Sequence, residues 1–340
     1  MKSKVKIIWK LIAVSLIAGL ILSVTGIALG ASRSLYWDRS GVHISGGLIS
    51  TITERDLQPF NTIYVSAGFS DVEFVSSDKF GIDLYARDME WFWSLENETL
   101  IVNHDRGTRL QILNFEFAPH ERNRATIYIP ENAELNIVNI ETSSGNINLS
   151  SFNAKTTSIN NSFGNIGLNN ITSDTLQVEL SSGNFTGSDL TSDNLIYSNR
   201  FGDGIFTSVQ ANRIKADCSS GDLRFTDCEF GNIVMTNSFG SINATGLISQ
   251  RANIRVSSGG IFITGNMSGE TVLHAGFGDI KLTTSGEKSD YSFDISAKFG
   301  NIRFDGERQR DQTSIISGAT LENHIKITSS NGDVSVDFGG

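Results

Sequence analysis

Hydrophobic and polar positions divide the chain into three regimes. Residues 11–30, LIAVSLIAGLILSVTGIALG, are almost wholly apolar, and no charge stands between Lys10 and Arg33. Twenty helical residues rise roughly 30 Å, the thickness of a bilayer's hydrocarbon core. From about 60 to 130 the pattern changes to short alternating runs: FNTIYVSAGFSDVEFV, FGIDLYA, TLIVNH, LQILNFEF and ATIYIP. These read as strands separated by turns. From 136 onward the alternation falls under a longer period. A glycine followed by Asn, Asp, Ser or Gly recurs at Gly145, Gly164, Gly183, Gly202, Gly221, Gly240, Gly259 and Gly278, each 19 residues after the last. Looser copies follow at Gly300 and Gly332, after spacings of 22 and 32, with polar insertions near 287–290 and 308–313.

Apolar residues keep step with the glycine. Ile147, Ile166, Phe185, Leu223, Ile242, Ile261 and Ile280 stand two after it, and Ile140, Ile159, Val178, Tyr197, Met235, Ile254 and Leu273 stand five before it. The local spacing of two predicts strands with one buried face. A 19-residue unit cannot close a core alone, whereas stacked units merge their apolar columns into one interior. The expected fold is therefore all-β: a parallel β-solenoid of about ten repeats over 136–340. An antiparallel or irregular N-terminal β cap over 59–135 covers its first edge, since an open end would expose unpaired strand groups. The glycine is expected at a tight corner with φ > 0, with Asn or Asp beside it capping backbone groups.

A second period overlies the first. The residue before the glycine alternates Ser144, Phe163, Ser182, Phe201, Ser220, Phe239, Ser258, Phe277, and Asn stands two residues before Phe163, Phe201 and Phe239. Both positions are expected to point inward and trade volume from rung to rung. A coil of 19 residues puts large beside small; a coil of 38 stacks like on like. The alternation itself leaves both open, and size favours 19.

Charge orients the N-terminal segment. Lys2, Lys4, Lys6 and Lys10 precede the apolar run and no acid precedes Asp38. The basic tail 1–10 is thus expected in the cytoplasm, 11–30 as a single transmembrane signal anchor, 31–58 as a juxtamembrane spacer, and the β region outside. Tyr36 and Trp37 suit an interfacial belt. The competing reading is a cleaved signal peptide with a small-residue site at Ala28-Leu29-Gly30. Both send the β region across the membrane.

Composition then narrows the chemistry. The 340 residues carry 27 Lys+Arg, 37 Asp+Glu, 33 Gly, 3 Pro and 2 Cys, a net charge of −10. Beyond Lys10, 23 positive residues face 37 negative ones, a net of −14. An acidic chain with no basic stripe excludes nucleic acid as a partner. Two cysteines build neither a disulfide scaffold nor a four-Cys metal site. Cys218 and Cys228 both fall in apolar columns and read as small buried hydrophobes, with a disulfide across a thin core as the alternative. The five histidines lack metal-ligand spacing, and the Asn/Asp column beside the glycines suits amide ladders better than calcium. No cofactor is implied.

Over 126–149, TIYIPENAELNIVNIETSSGNINL, a strand ends in Pro and a short turn leads through apolar alternation into S-S-G-x-I. Through Ile129, Pro130, Leu135, Ile137, Ser144, Gly145 and Ile147 the chain resembles the bacterial putative-adhesin family of β-strand repeats. The resemblance spans roughly 60–340. It implies an extracytoplasmic domain of no established activity, often behind one membrane helix and in some members encoded with envelope-stress genes. It carries over no catalytic residue.

Function follows from these readings as an expectation. The leading one is a non-enzymatic, membrane-tethered scaffold at the cell envelope, adhesin-like, with a sensor protein, a cationic peptide or a cell-wall polymer as partner. Trp91, Phe92 and Trp93, the densest aromatic cluster, are its candidate interaction surface, against an alternative in which they pack the cap on the first rung. The runner-up is a carbohydrate-active β-helix enzyme, which needs several carboxylates gathered on one face. Glu179, Asp217, Asp227 and Glu229 read instead as a solvated face. A third option is a surface fibre built by end-to-end stacking.

Overall fold

The computed structural model describes residues 2–28, 34–38, 41–45, 49–87, 89–104, 110–114, 122–131, 133–309, 313–317 and 321–339. Leu29, Gly30 and Arg33 at the end of the apolar run, Gly46 and Gly47 in the spacer, the end of LQILNFEF and part of the second polar insertion lie outside them. The chain forms two compact units. The first holds the helix Lys2–Ala28 and a three-stranded antiparallel sheet in which Ser34–Asp38 lies between Gly41–Ser45 and Leu110–Asn114. The helix contains no Pro and is rich in Leu, Ile and Ala. Among the described residues no helix is long and apolar enough to cross a membrane.

The second unit is all-β. Its strands pair in parallel with the strand one repeat ahead, at an offset of 19 residues rather than 38: Ile140 with Ile159, Ile159 with Val178, Val178 with Tyr197. The column continues through Ala216, Met235, Ile254 and Leu273. All these residues are buried. A second column runs through Ile147, Ile166 and Phe185, and the rings of Phe206 and Phe225, one repeat apart, stack with centroids 4.7 Å apart. In-register parallel pairing explains the period: identical positions fall over one another at the strand spacing of ~4.8 Å, so an apolar residue in one repeat needs an apolar residue in the next.

Neither end is a simple continuation of stacking in chain order. Within the segment expected to be an antiparallel or irregular cap, Thr62–Gly68 and Asp71–Ser77 pair in parallel with the first repeat, placing Val65 beside Ile140 and Val72 beside Ile147. Antiparallel pairing joins Trp91–Glu96 to Thr99–His104 in a hairpin, and Gly81–Arg87 to Arg124–Pro130. At the other end the rungs do not stack in chain order. Asn323–Asn331 lies between the strands of Gly278 and Gly300, pairing with Ile261–Phe277 on one side and Tyr291–Phe299 on the other. Val334–Phe338 likewise sits between Ile280–Thr284 and Ile302–Phe304. The long spacings before Gly300 and Gly332 supply the chain needed to pass over and return. Two short strands, Glu307–Gln309 and Ser314–Ile316, pair antiparallel with the last rung and cover its edge.

Candidate interaction surface

The surface begins at the glycine corner. Gly164 to Gly278 and Gly332 have φ between +131° and +153°, a region that L side chains rarely adopt. A second constraint acts there: a Cβ on Gly202 would lie 2.1 Å from the carbonyl oxygen of Gly183, one rung below. Gly145 and Gly300 are absent from the positive-φ set, yet a Cβ on either would meet a neighbouring carbonyl oxygen at 2.1 Å and 2.0 Å. Close backbone approach is therefore common to the whole column, and left-handed φ is not.

Beside it runs a polar ladder. Each Asn, Asp or Ser after the glycine accepts the backbone N–H of its counterpart one rung on. Asn146 Oδ1 takes Asn165 N–H at 3.0 Å, and Asn165, Asn184, Asp203 and Asp222 repeat the bond to Asn184, Asp203, Asp222 and Ser241. Asp71 starts the ladder, and Asp279, Asp333 and Asn301 extend it. The bonds from Asn301 hold the Asp333 carboxyl below its ordinary value. These oxygens are thus engaged along the stack, and among the described residues no group of three His, Cys, Asp or Glu could hold a metal ion.

On the other side of the glycine stand the phenylalanines, and here the inward expectation is corrected. Phe163, Phe201, Phe239 and Phe277 are 60–65% exposed, whereas Asn161, Asn199 and Asn237, two residues earlier, are buried. The chain bends at the glycine, so the face that is internal at the Asn no longer looks into the core at the last strand residue. Each buried Asn donates its amide to the glycine carbonyl of the rung below, at 2.9, 3.0 and 2.8 Å. It serves the corner rather than filling volume.

The exposed phenyls form one column with small residues between them. The register runs Ser144, Phe163, Ser182, Phe201, Ser220, Phe239, Ser258, Phe277. It then passes to Asn331 and Phe299, following space and not chain order. Since Ile147 pairs with Val72, Phe69 precedes Ser144 at the other end. Phe69 and Phe299 are 69% and 67% exposed. Phe therefore alternates with Ser or Asn through eleven rungs, across two breaks in chain order.

The sequence-predicted aromatic cluster is divided. Trp91 is buried, donates its indole N–H to the Tyr85 carbonyl at 3.0 Å and meets the His104 ring edge-on at 5.3 Å. Its side of the hairpin faces the core, so it is removed from the candidate surface. Phe92, on the opposite face, is 52% exposed, and Trp93 is half-buried. Cys218 and Cys228 are buried free thiols, both pushed up by burial; no disulfide joins them. Of the four carboxylates considered for an enzyme, Asp217 accepts a hydrogen bond from the Thr236 hydroxyl and pairs with Lys215 at 3.1 Å. Glu179, Asp227 and Glu229 are exposed. A depression of about 420 Å³ beside Phe60, Phe80, Pro130 and Glu134 presents apolar walls and few charges.

One feature escaped sequence reasoning. Ser151, Asn170, Asp189, Ser208 and Asp227 all have φ between +51° and +58°, and Gly246 continues the series. This is a second corner, six residues after the glycine. Its signal was present as a column of Ser, Asn, Asp and Gly, the residues that best tolerate this conformation.

Comparison with known proteins places this architecture. Residues 86–337 match the family model described as Toastrack DUF4097. Solved structures similar to the chain include a putative adhesin from Bacteroides fragilis NCTC 9343, at 13% identity and a TM-score of 0.40. Another is a putative adhesin from Parabacteroides merdae ATCC 43184, at 13% identity and 0.39. In both cases 86% of this chain and 97% of the other are covered. No curated protein matches the sequence. With about three quarters of its length matched by the family model, the chain belongs to the Toastrack DUF4097 family.

Proposed function

We propose that the protein is a non-enzymatic, adhesin-like scaffold of the cell envelope, tethered by its N-terminal helix, with an extracytoplasmic parallel β-solenoid of 19-residue coils. The observation that carries this reading is the phenyl column: a long, regular, exposed apolar edge in place of a pocket with convergent polar groups. The tether is supported by the uncharged run between Lys10 and Arg33 and by the exposure of Val14, Leu16, Ile17, Leu20, Ile21 and Leu22. The four preceding lysines orient the N-terminus to the cytoplasm. The partner is a component of the envelope, and a role in envelope stress rests on the resemblance to the adhesin-like family alone.

The test is the topology of the edge. Phe239→Cys in the full chain should react in intact cells with a membrane-impermeant maleimide, and the protein should stay in membranes through alkaline extraction. Labelling only after lysis refutes the outward display; release by alkali refutes the tether.

A further inference from the structure

The alternation of the edge demands its own explanation. A flat apolar partner or a lipid surface would be served as well by Phe on every rung. Instead a small residue separates each pair of phenyls, and the pattern is kept where Phe69 comes from outside the repeats and where Asn331 is inserted between Phe277 and Phe299. Rungs lie ~4.8 Å apart, so successive phenyls are ~9.6 Å apart. Such a slot admits one further ring, ~4.8 Å from each neighbour and within the 4.5–7 Å range of favourable aromatic pairs.

We infer that this edge is a self-association surface: two copies lie antiparallel, with the phenyls of each seated in the serine slots of the other. The inference rests on the outward display proposed above and names the partner as a second copy of this chain. A dyad along the stack sets every rung opposite itself, Phe on Phe. A dyad across the stack interdigitates the combs only if it falls between two rungs. Two dyads, on either side of the Ser220 rung, keep ten of the eleven rungs opposed, and the ladder beside the phenyls decides between them. With the dyad between Phe201 and Ser220, Asp203 faces Asp222. Between Ser220 and Phe239 no acid faces another: Asp222 meets Ser241, Asp203 meets Gly260, Asp279 meets Asn184 and Asp333 meets Asn165. In this register Phe163, Phe201, Phe239, Phe277 and Phe299 meet Asn331, Ser258, Ser220, Ser182 and Ser144. Each of these phenyls leaves about two thirds of a surface on the order of 200 Å² open. Together they bring on the order of 650 Å² per copy, close to the ~800 Å² of a standard interface before the flanks are counted.

The test uses the full chain in detergent, sedimented across a concentration series. The wild type should associate to a dimer, and Ser220→Cys should give a crosslinked dimer with a short bis-maleimide. Phe239→Ser should weaken association by roughly a hundredfold, about tenfold for each of the two phenyls lost per dimer. Ser220→Phe should weaken it comparably although it adds apolar surface, because it fills the slot at the dyad. Circular dichroism and melting check that both variants fold. A wild type that stays monomeric overturns the inference, as does a Ser220→Phe chain that associates as well as the wild type. Undiminished binding of Ser220→Phe to lipid vesicles or wall sacculi, with no dimer, assigns the edge to those partners and also overturns it. Surface labelling of Phe239→Cys in cells is independent of these outcomes, so the display can stand while self-association fails.

Discussion

Replacing Gly202 by Ala tests the corner most directly. Its φ is +131°, and an added Cβ would stand 2.1 Å from Gly183 O and 2.7 Å from Gly183 C. The obstacle is backbone, so no rotamer change relieves it. The two rungs would have to part by roughly 1 Å to reach ordinary contact, straining the bonds from Gly183 N–H to Phe201 O and from Phe185 N–H to Asp203 O, both 2.9 Å. Unfavourable φ costs about 1–2 kcal/mol and overpacking about 1–3 kcal/mol, for a total of about 2–5 kcal/mol. Two controls separate the causes. Gly306 has φ +78° and nothing within 4 Å of its Cβ position, so Gly306→Ala bears conformational cost alone. Gly145→Ala bears the steric cost, with Ser70 O at 2.1 Å and no positive φ. Urea denaturation followed by circular dichroism, with hydrogen exchange to localise opening in a repeat array, measures all three. The expected order of destabilisation is Gly202→Ala, then Gly145→Ala, then Gly306→Ala. A Gly202→Ala protein no less stable than Gly306→Ala would refute close approach as the reason for the column.

Two further outcomes follow from the same geometry. Cys218 and Cys228 should resist maleimide at pH 8 in the native protein and react promptly in denaturant, since burial both covers the thiols and disfavours the thiolate; native labelling at the denatured rate would contradict their placement. The lowered Asp333 carboxyl contributes stability that is fully present above its unfolded value near 3.8 and is lost as pH falls through the folded value below it. Asp333→Asn should therefore flatten acid unfolding of the last rungs, seen by hydrogen exchange between pH 5 and 2, and an unchanged profile would count against the Asn301 bonds as its cause.

How much was legible in the sequence depends on the kind of constraint. Parallel in-register stacking forces each position to repeat its chemistry every 19 residues, so the glycine column, the apolar columns and the all-β character were readable from spacing alone. Size favoured a lap of 19 over one of 38, and the offset of the paired strands decided it. Spacing says which residues share a column, but not which way a column points where the chain bends. Phe163, Phe201, Phe239 and Phe277 lie on the alternation that buries Asn161, Asn199 and Asn237, and only the bend at the glycine turns them outward. Trp91 and Phe92 were equally ambiguous, because the pairing of their hairpin decides which face meets the core.

The order of the last rungs is the clearest case of tertiary choice. Both Gly300 and Gly332 carry the corner motif, and either could stack on Gly278. The structure puts Gly332 there and Gly300 beyond it, because the strands 307–309 and 314–316 then cover the final edge while the chain's last strand is paired on both sides. Local sequence thus determined the repeat, its period and its buried positions. The facing of the phenyl edge, its unbroken alternation in space and the closing of the stack were decided by contacts between residues far apart in the chain, which no local pattern encodes.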